Sequence, residues 1–430
     1  MSEQGNLTRR RFLGVAGAAT ASVLAPGLAG CAGGDSGGSN ASGGSGGSGG
    51  GGGKITLTWW DYFNDTNEKA VNERIAAYKK VKPNVTIKRT AQPFADLKQK
   101  LLQGATAGEL PDIVVIDNPD HSSFAALGVL ADLSDQVKAW GQEGEYFEGP
   151  WKSTVYQGAN YGVPDNSNCL ALWSNSAMLE KAGVTVPKNW DDLRAAAKQL
   201  TSGKTHAIAM SAVKSEEGTF QWLPFLWAAG ADLDSLDSDG GRQALQLWVD
   251  FVKSGEMSRS VVNWDQAAVL QQFENDRAAL MVNGPWQIPT IKAEKPKLDW
   301  QVSTLPEGQT SASILGGENI AITKSSKHVD AAWDFITWTQ EPANLTPYIV
   351  TAGKIPSRKG VAEQEEWTSD PAVKVFVEQL QTARPRAYGP KYPEISAAVQ
   401  DMLQSALTGD ASVDAAVKTA AGKVKPLLST

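Results

Sequence analysis

The amino-acid sequence predicts an α/β protein of two sizeable lobes, and three observations carry that prediction. Short apolar, β-branched runs alternate with helical periodicity across residues 54–430, the pattern of an open sheet flanked by helices. Several runs are continuously apolar, as strands buried on both faces must be. The chain has 430 residues, and at roughly 150 residues per domain it has material for two or three domains once its first fifty or so are set aside.

Composition excludes some function classes. The formal charge is −7, from 40 basic and 47 acidic residues, and falls further without residues 1–30, which carry three arginines and one glutamate. A nucleic-acid partner is excluded on that balance. Three histidines (His121, His206, His328) and two cysteines (Cys31, Cys169) have no spacing that builds a Cys/His zinc site. Tryptophan stands out: fifteen Trp against eleven Phe and eight Tyr, flat rings with an apolar body and a polar edge.

Residues 1–30 read as an export signal. Arg9-Arg10-Arg11 precedes an uncharged run rich in Ala, Gly and Val from Phe12 onward, a twin-arginine pattern. The glycines and Pro26 make that run a poor membrane-spanning helix. It ends in Leu28-Ala29-Gly30-Cys31, which resembles the lipobox of bacterial lipoproteins, and that resemblance implies a mature chain starting at a lipidated Cys31. Residues 31–53 then form a Gly/Ser tether, a flexible coil spanning about 25 Å root-mean-square. Gly43-Gly44-Ser45-Gly46-Gly47 within it matches a G-x-S-x-G nucleophile elbow, but no strand precedes it and no helix follows. With Cys31 lipidated, Cys169 has no intramolecular partner, so stability rests on the core.

In the body, 55–59 reads as a strand, 67–80 as a helix and 85–89 as a second strand after Pro83. A helix over 94–105 leads to the buried strand 113–117. Ligand sites in such sheets lie beyond the carboxyl ends of the strands, here Trp59-Trp60-Asp61-Tyr62 and Asp117-Asn118-Pro119-Asp120. A second unit of the same character has strands around 170–173 and 278–282. Its helices open at Trp190 and cover 242–254, and a Gly/Asp-rich loop follows Phe220-Gln221-Trp222-Leu223-Pro224.

Leu110-Pro111-Asp112-Ile113-Val114 and Tyr161-Gly162-Val163-Pro164 stand in order with Asn168 and Leu172-Trp173-Ser174-Asn175. Asn283-Gly284-Pro285-Trp286 and Gly316-Gly317-Glu318-Asn319-Ile320-Ala321-Ile322 follow. With that ordered set the body resembles the extracellular solute-binding lipoproteins of carbohydrate ABC importers, the maltose-binding-protein-like group. The resemblance implies a two-lobed, type II periplasmic-binding-protein clamshell with hinge crossings near 163–168, 303–306 and 354–357. The first lobe would be 54–164 plus 304–355, the second 165–303 plus 356–430. It further implies a monomeric, non-catalytic receptor, lipid-anchored on the extracytoplasmic face of the cell membrane. Such a receptor captures a mono- or oligosaccharide and delivers it to the transmembrane permease subunits, the cytoplasmic ATPase acting indirectly, with no cofactor or metal. The alternative is a secreted, lipid-anchored carbohydrate-active enzyme.

A pyranose offers hydroxyls at its rim and C–H patches on its faces. Its site therefore needs planar hydrogen-bonding groups and aromatic rings. The resemblance places Asp61, Tyr62, Asn118, Asp120, Gly317 and Glu318 in the first lobe's wall and Asn168, Gln221, Trp222 and Trp286 in the second. Arg358, Arg386, Tyr388 and Tyr392 are further candidates. Maltose-type relatives carry a glutamate just after the first hinge where this chain has Asn168, so maltose is not carried over. Trp59, Trp173, Trp227, Trp248 and Trp333 sit in apolar patterns and are expected in the core. Asp112, before a buried strand, is expected to be structural. The acidic stretch from Asp232 to Gly240 suggests a calcium loop, but with Gly240 as the turn glycine, Gln246 falls where a bidentate glutamate belongs. It is read as a solvated acidic turn.

Overall fold

The computed structural model describes residues 53–428; the signal, Cys31 and the tether up to 52 lie outside the described residues. The first strand, Ile55–Asp61, runs parallel to Val85–Ala91 on one side and Ile113–Asp117 on the other. Glu318–Ile322 adds antiparallel to Ile113–Asp117, with Glu318 opposite Asp117, and Val163–Pro164 closes the five-stranded sheet. The second sheet has four strands in the order Trp300–Ser303, Ala171–Asn175, Ala278–Asn283 and His206–Ala209.

These elements form where the sequence pattern dictates. Ile113 to Ile116 are all buried, and so is every residue of Ala278–Asn283, because helices cover both sheet faces. In the helix Trp190–Leu200, Asn189 caps the first turn by accepting from the Asp192 N–H at 2.9 Å. Its buried stripe of Trp190, Leu193, Ala197 and Leu200 has the 3.6-residue period of an amphipathic helix. Asp239–Ser254 begins three residues before the expected 242, at the Ser238 cap, and stops at Gly255 in the left-handed region, φ 78°. The helix Glu216–Ala228 replaces the expected loop entry: every residue but Glu217 is buried, so no polar stripe betrays the helical period, and Pro224 reads misleadingly as a breaker.

The tryptophans expected in the core are there. Trp59, Trp173, Trp227 and Trp248 are buried, and Trp333 packs, partly buried, on the core of the first sheet. Asp112 is structural: its carboxylate accepts from the Thr58 N–H and Oγ1, both at 2.8 Å, and from Ser326 Oγ at 2.6 Å. Asp232 caps a short turn, accepting from the Leu233 N–H at 2.7 Å. Cys169 is a buried free thiol donating to the Phe376 carbonyl at 3.4 Å.

Connecting segments run side by side between the two sheets. Ser167 and Ile355 exchange both backbone hydrogen bonds, at 2.7 and 2.9 Å, and Asn168 and Gly316 do the same, at 3.1 and 2.9 Å. Gly317 has φ 136°, and a Cβ there would sit 2.4 Å from the Asn166 carbonyl oxygen, so only glycine fits. Leu305, Ala312 and Ile314 are buried in the core around the second sheet, which puts the passage to the first sheet at Gly316-Gly317, later than the expected 303–306. Val361 and Trp367 pack in the first sheet's core, whereas Ala372 and Phe376 pack on the second. Ile355, within the expected 354–357, packs on the second core as well, and the chain returns to that core after Trp367.

Candidate functional site

Both sheets end at one cavity of about 650 Å³, within the range of small-molecule sites. Parallel pairing brings the carboxyl ends of Ile55–Asp61 and Ile113–Asp117 to the same edge, and antiparallel Glu318–Ile322 starts there. In the second sheet Ala171 pairs with Asn283, so Asn168 and the Gly284-Pro285-Trp286 turn share an edge as well. Helices Glu216–Ala228 and Gln266–Glu274 begin at this cavity. Their caps, Ser215 and Asp265, accept from the Glu217 and Ala268 N–H groups, and their dipoles favour acceptors and carboxylates there.

Two charge clusters organise the walls. The Glu318 carboxylate accepts from the Tyr62 hydroxyl and the Lys354 ammonium, each at 3.1 Å, through Oε1. Its other oxygen, Oε2, is buried without a protein hydrogen-bond partner. Burial, with Glu318 and Asp117 adding to it, pushes the Tyr62 phenol well up, so it stays a donor. Lys354 Nζ also lies 5.2 Å from the Trp286 ring centre and 5.5 Å from that of Phe63, a cation between two aromatic faces from opposite walls.

Arg386 forms the second cluster. Its guanidinium grips Asp117 at 2.9 and 3.0 Å and Glu216 at 2.7 Å, and it lies 4.7 Å from the Phe220 ring centre. Glu216 is held in turn by the Tyr392 hydroxyl at 2.5 Å and by Ser396. Fork geometry suits arginine to such a bridge. Burial raises the neighbouring Glu217 carboxyl to about 7, so near neutral pH it can donate as well as accept. Trp286, half-buried, faces the cavity with Phe220 at 6.4 Å.

Of the residues expected in the walls, Tyr62, Asn168, Trp286 and Glu318 line this cavity, and so does Arg386. Gly317 contributes backbone only, its carbonyl accepting from the Asn118 N–H at 3.1 Å; Asn118 is buried behind the wall. Asp120 lies beside the main cavity, its carboxylate 2.7 Å from Lys98 Nζ. The others are placed elsewhere. Gln221 is fully buried, accepting from the Ser211 N–H and donating to the Val282 carbonyl. Trp222 is core. Arg358 donates to the Gln340 carbonyl at 2.7 Å and to Gln142 at 2.9 Å. Tyr388 stacks on Tyr392 and donates to Asp232.

Asp61 turns inward, accepting from Arg89 Nε and Nη2 at 2.7 Å each. Asp61→Asn is therefore expected to weaken a buried pair and cost about 1–3 kcal/mol of stability, with ligand affinity little changed. Urea unfolding beside calorimetry checks this, and lost binding at full stability would return Asp61 to the cleft. Sequence reasoning missed Phe63, Glu216, Glu217, Phe220 and Lys354, all at the cavity. The signal available for Phe63 was its position just past a strand end; Lys354 reaches the site only through the pairing of Ile355 with Ser167.

Comparison with known proteins agrees with this architecture. The family of bacterial extracellular solute-binding proteins matches residues 73–375. An ABC transporter solute-binding protein from Thermotoga lettingae TMO, solved with α-D-tagatose, is 27% identical with a TM-score of 0.82, covering 87% of this chain and 100% of that one. The GacH receptor of Streptomyces glaucescens, solved unliganded and with acarbose, is 25% identical with a TM-score of 0.81, covering 87% and 99%. The multiple sugar-binding protein of Streptococcus mutans is 22% identical over 354 residues, 75% of this chain and 80% of that one. The fold is the two-lobed binding-protein clamshell, and the chain belongs to the bacterial extracellular solute-binding proteins.

Proposed function

We propose that this protein captures a carbohydrate between its lobes and delivers it, chemically unchanged, to the membrane subunits of an ABC importer. The observation that carries this reading is the composition of the cavity wall. Trp286, Phe63 and Phe220 supply ring faces for sugar C–H surfaces, and Glu318, Asn168 and Glu217 supply acceptors and donors for hydroxyls, from both sheets at once. A ligand touching both walls stabilises the closed form by its differential affinity for it. The lobes exchange, on this reading, at 163–168, at 316–317, at 354–357 and between 367 and 372.

A thermal-shift screen against mono- to tetrasaccharides of α- and β-linkage tests the proposal. A receptor's melting midpoint rises with ligand concentration while chromatography recovers the sugar intact. New reducing ends would mean an enzyme.

The lipid anchor belongs to the same proposal. Cys31, acylated, would hold the body at the extracytoplasmic face of the membrane through the Gly/Ser tether. Among the described residues no helix is long and apolar enough to cross a membrane. Cys31→Ala is expected to release the protein from the membrane fraction and to remove the lipid mass from its N-terminal peptide; a variant still firmly membrane-bound would place the anchor elsewhere. Arg9→Lys with Arg10→Lys should block export.

A further inference from the structure

We propose that the pole of the first lobe opposite the cleft is a docking surface for anionic lipid headgroups, on which the tethered body rests with its cavity turned away from the membrane. This rests on the lipid-anchor reading above. The amino ends of Ile55–Asp61, Val85–Ala91 and Ile113–Asp117 share one edge of the first sheet, and the antiparallel Glu318–Ile322 finishes there, with Ile322 opposite Ile113. A strand of seven residues is roughly 20 Å long, so this pole stands about that far from the cavity edge. The tether joins the body here, at exposed Lys54 just before the first strand. An anchor on Cys31 therefore holds the body by this pole, at a local concentration of lipid that lets weak contacts count.

The surface at this pole has the composition that a headgroup layer matches. The helix Asp65–Val81 runs back from the cavity edge and ends here in Lys79-Lys80-Val81-Lys82. Lys79 Nζ donates to the Pro83 and Val85 carbonyls at 2.8 Å each and Lys82 Nζ to Asp334 at 3.1 Å, while Lys80 is exposed. After Ile322 the chain turns through Lys324 and Lys327, both exposed. The Lys324 N–H donates to the Val129 carbonyl at 2.9 Å, and Ser326 Oγ donates to Asp112 at 2.6 Å. The acidic residues at this edge are Glu109, Asp330 and Asp334, with Asp112 already engaged by Thr58 and Ser326. The lysines outnumber them, in a chain whose formal charge is −7. Val81 and Leu127 are the most exposed large apolar side chains among the described residues, at 56% and 63%. Both stand at this pole, Val81 between lysines and Leu127 two residues before the Val129 that pairs with Lys324. Basic residues around exposed apolar ones make an interfacial contact, the charges meeting phosphates and the apolar groups entering the headgroup layer.

The test reads contact on the lipidated protein itself. Mass spectrometry comes first: no lipid on Cys31 overturns the anchor reading and this proposal with it. The lipidated protein, carrying Val81→Cys labelled with a polarity-sensitive fluorophore, is then reconstituted into vesicles of phosphatidylcholine, alone or with an equal part of phosphatidylglycerol. The native Cys169 is buried, and Ala95→Cys, exposed at the cavity edge of the same lobe, is the control position. The label at 81 is expected to shift to the blue in the anionic vesicles only and to return in high salt, while the label at 95 stays as in water. Reversing three exposed lysines, Lys54→Glu with Lys80→Glu and Lys327→Glu, is expected to lower the ratio of docked to free body roughly a hundredfold, the attraction of one lysine to an anionic surface taken three times. The melting midpoint should stay that of the parent. A blue shift that is equal in the two kinds of vesicle, that survives the three reversals, or that appears at 95 and not at 81 overturns the docking surface and leaves the anchor standing. No shift at either position does the same.

Discussion

Trp286→Ala is expected to lower ligand affinity by roughly 30- to 1,000-fold, the loss of an aromatic hot spot worth about 2–4 kcal/mol, with little change in unfolding free energy. The asymmetry follows from where the ring sits. Trp222 and Trp248 are enclosed on all sides, and truncating either would leave a core void costing about 3–5 kcal/mol. Trp286 is only half-buried, with one neighbour in Phe220 and another in the Lys354 ammonium, and its remaining surface faces the cavity. Its pose is prepared by Gly284, where a Cβ would fall 1.9 Å from the indole. Gly284→Ala should therefore push the ring aside and weaken binding without deleting it. Calorimetry paired with urea unfolding separates the outcomes: wild-type affinity in Trp286→Ala, or a collapse of the ligand-free protein's stability, would move the ring from the site to the core.

The sheets were largely legible from the sequence because their strands are buried on both faces, and continuous apolar runs such as Ile113 to Ile116 have few other homes. The site was legible only in part, for two physical reasons. One is register. Asp61 and Tyr62 are adjacent, but a strand sends neighbouring side chains to opposite faces, so Asp61 goes inward to Arg89 while Tyr62 reaches Glu318. Polarity alone ranks them the wrong way. The same difficulty misplaces Gln221 and Trp222, which lie in a helix buried all round and so carry no periodic mark of which side faces the cavity. The other reason is sequence distance. Glu216 and Arg386 are 170 residues apart, and Lys354 and Glu318 are 36 apart; neither pair has a local pattern that announces it. Asn168, Trp286 and Glu318, which the resemblance singles out, line the cavity, and Trp286 in addition follows a recognisable strand end, where sheet topology predicts a cleft.

Arg386→Ala is expected to cost about 3–5 kcal/mol of stability, because it strands two carboxylates that share one buried cation. Arg386 is 5% exposed and Glu216 8%, and water can do little for either. Asp117 ends a strand of the first sheet, while Glu216 opens a helix that packs against the second. Among the described residues the guanidinium is thus the one group bonded to both, a tie between the walls as well as a charge partner. Without it, Asp117 and Glu216 repel each other across the cleft, and only Glu216 keeps hydroxyl donors, from Tyr392 and Ser396. Arg386→Lys restores the charge but lacks the planar fork that reaches three oxygens at once, so it should recover part of the stability. Urea unfolding of the three proteins at neutral pH reads both expectations. A loss in Arg386→Ala below about 1 kcal/mol, the range of an exposed ion pair, would show that the bridge is solvated.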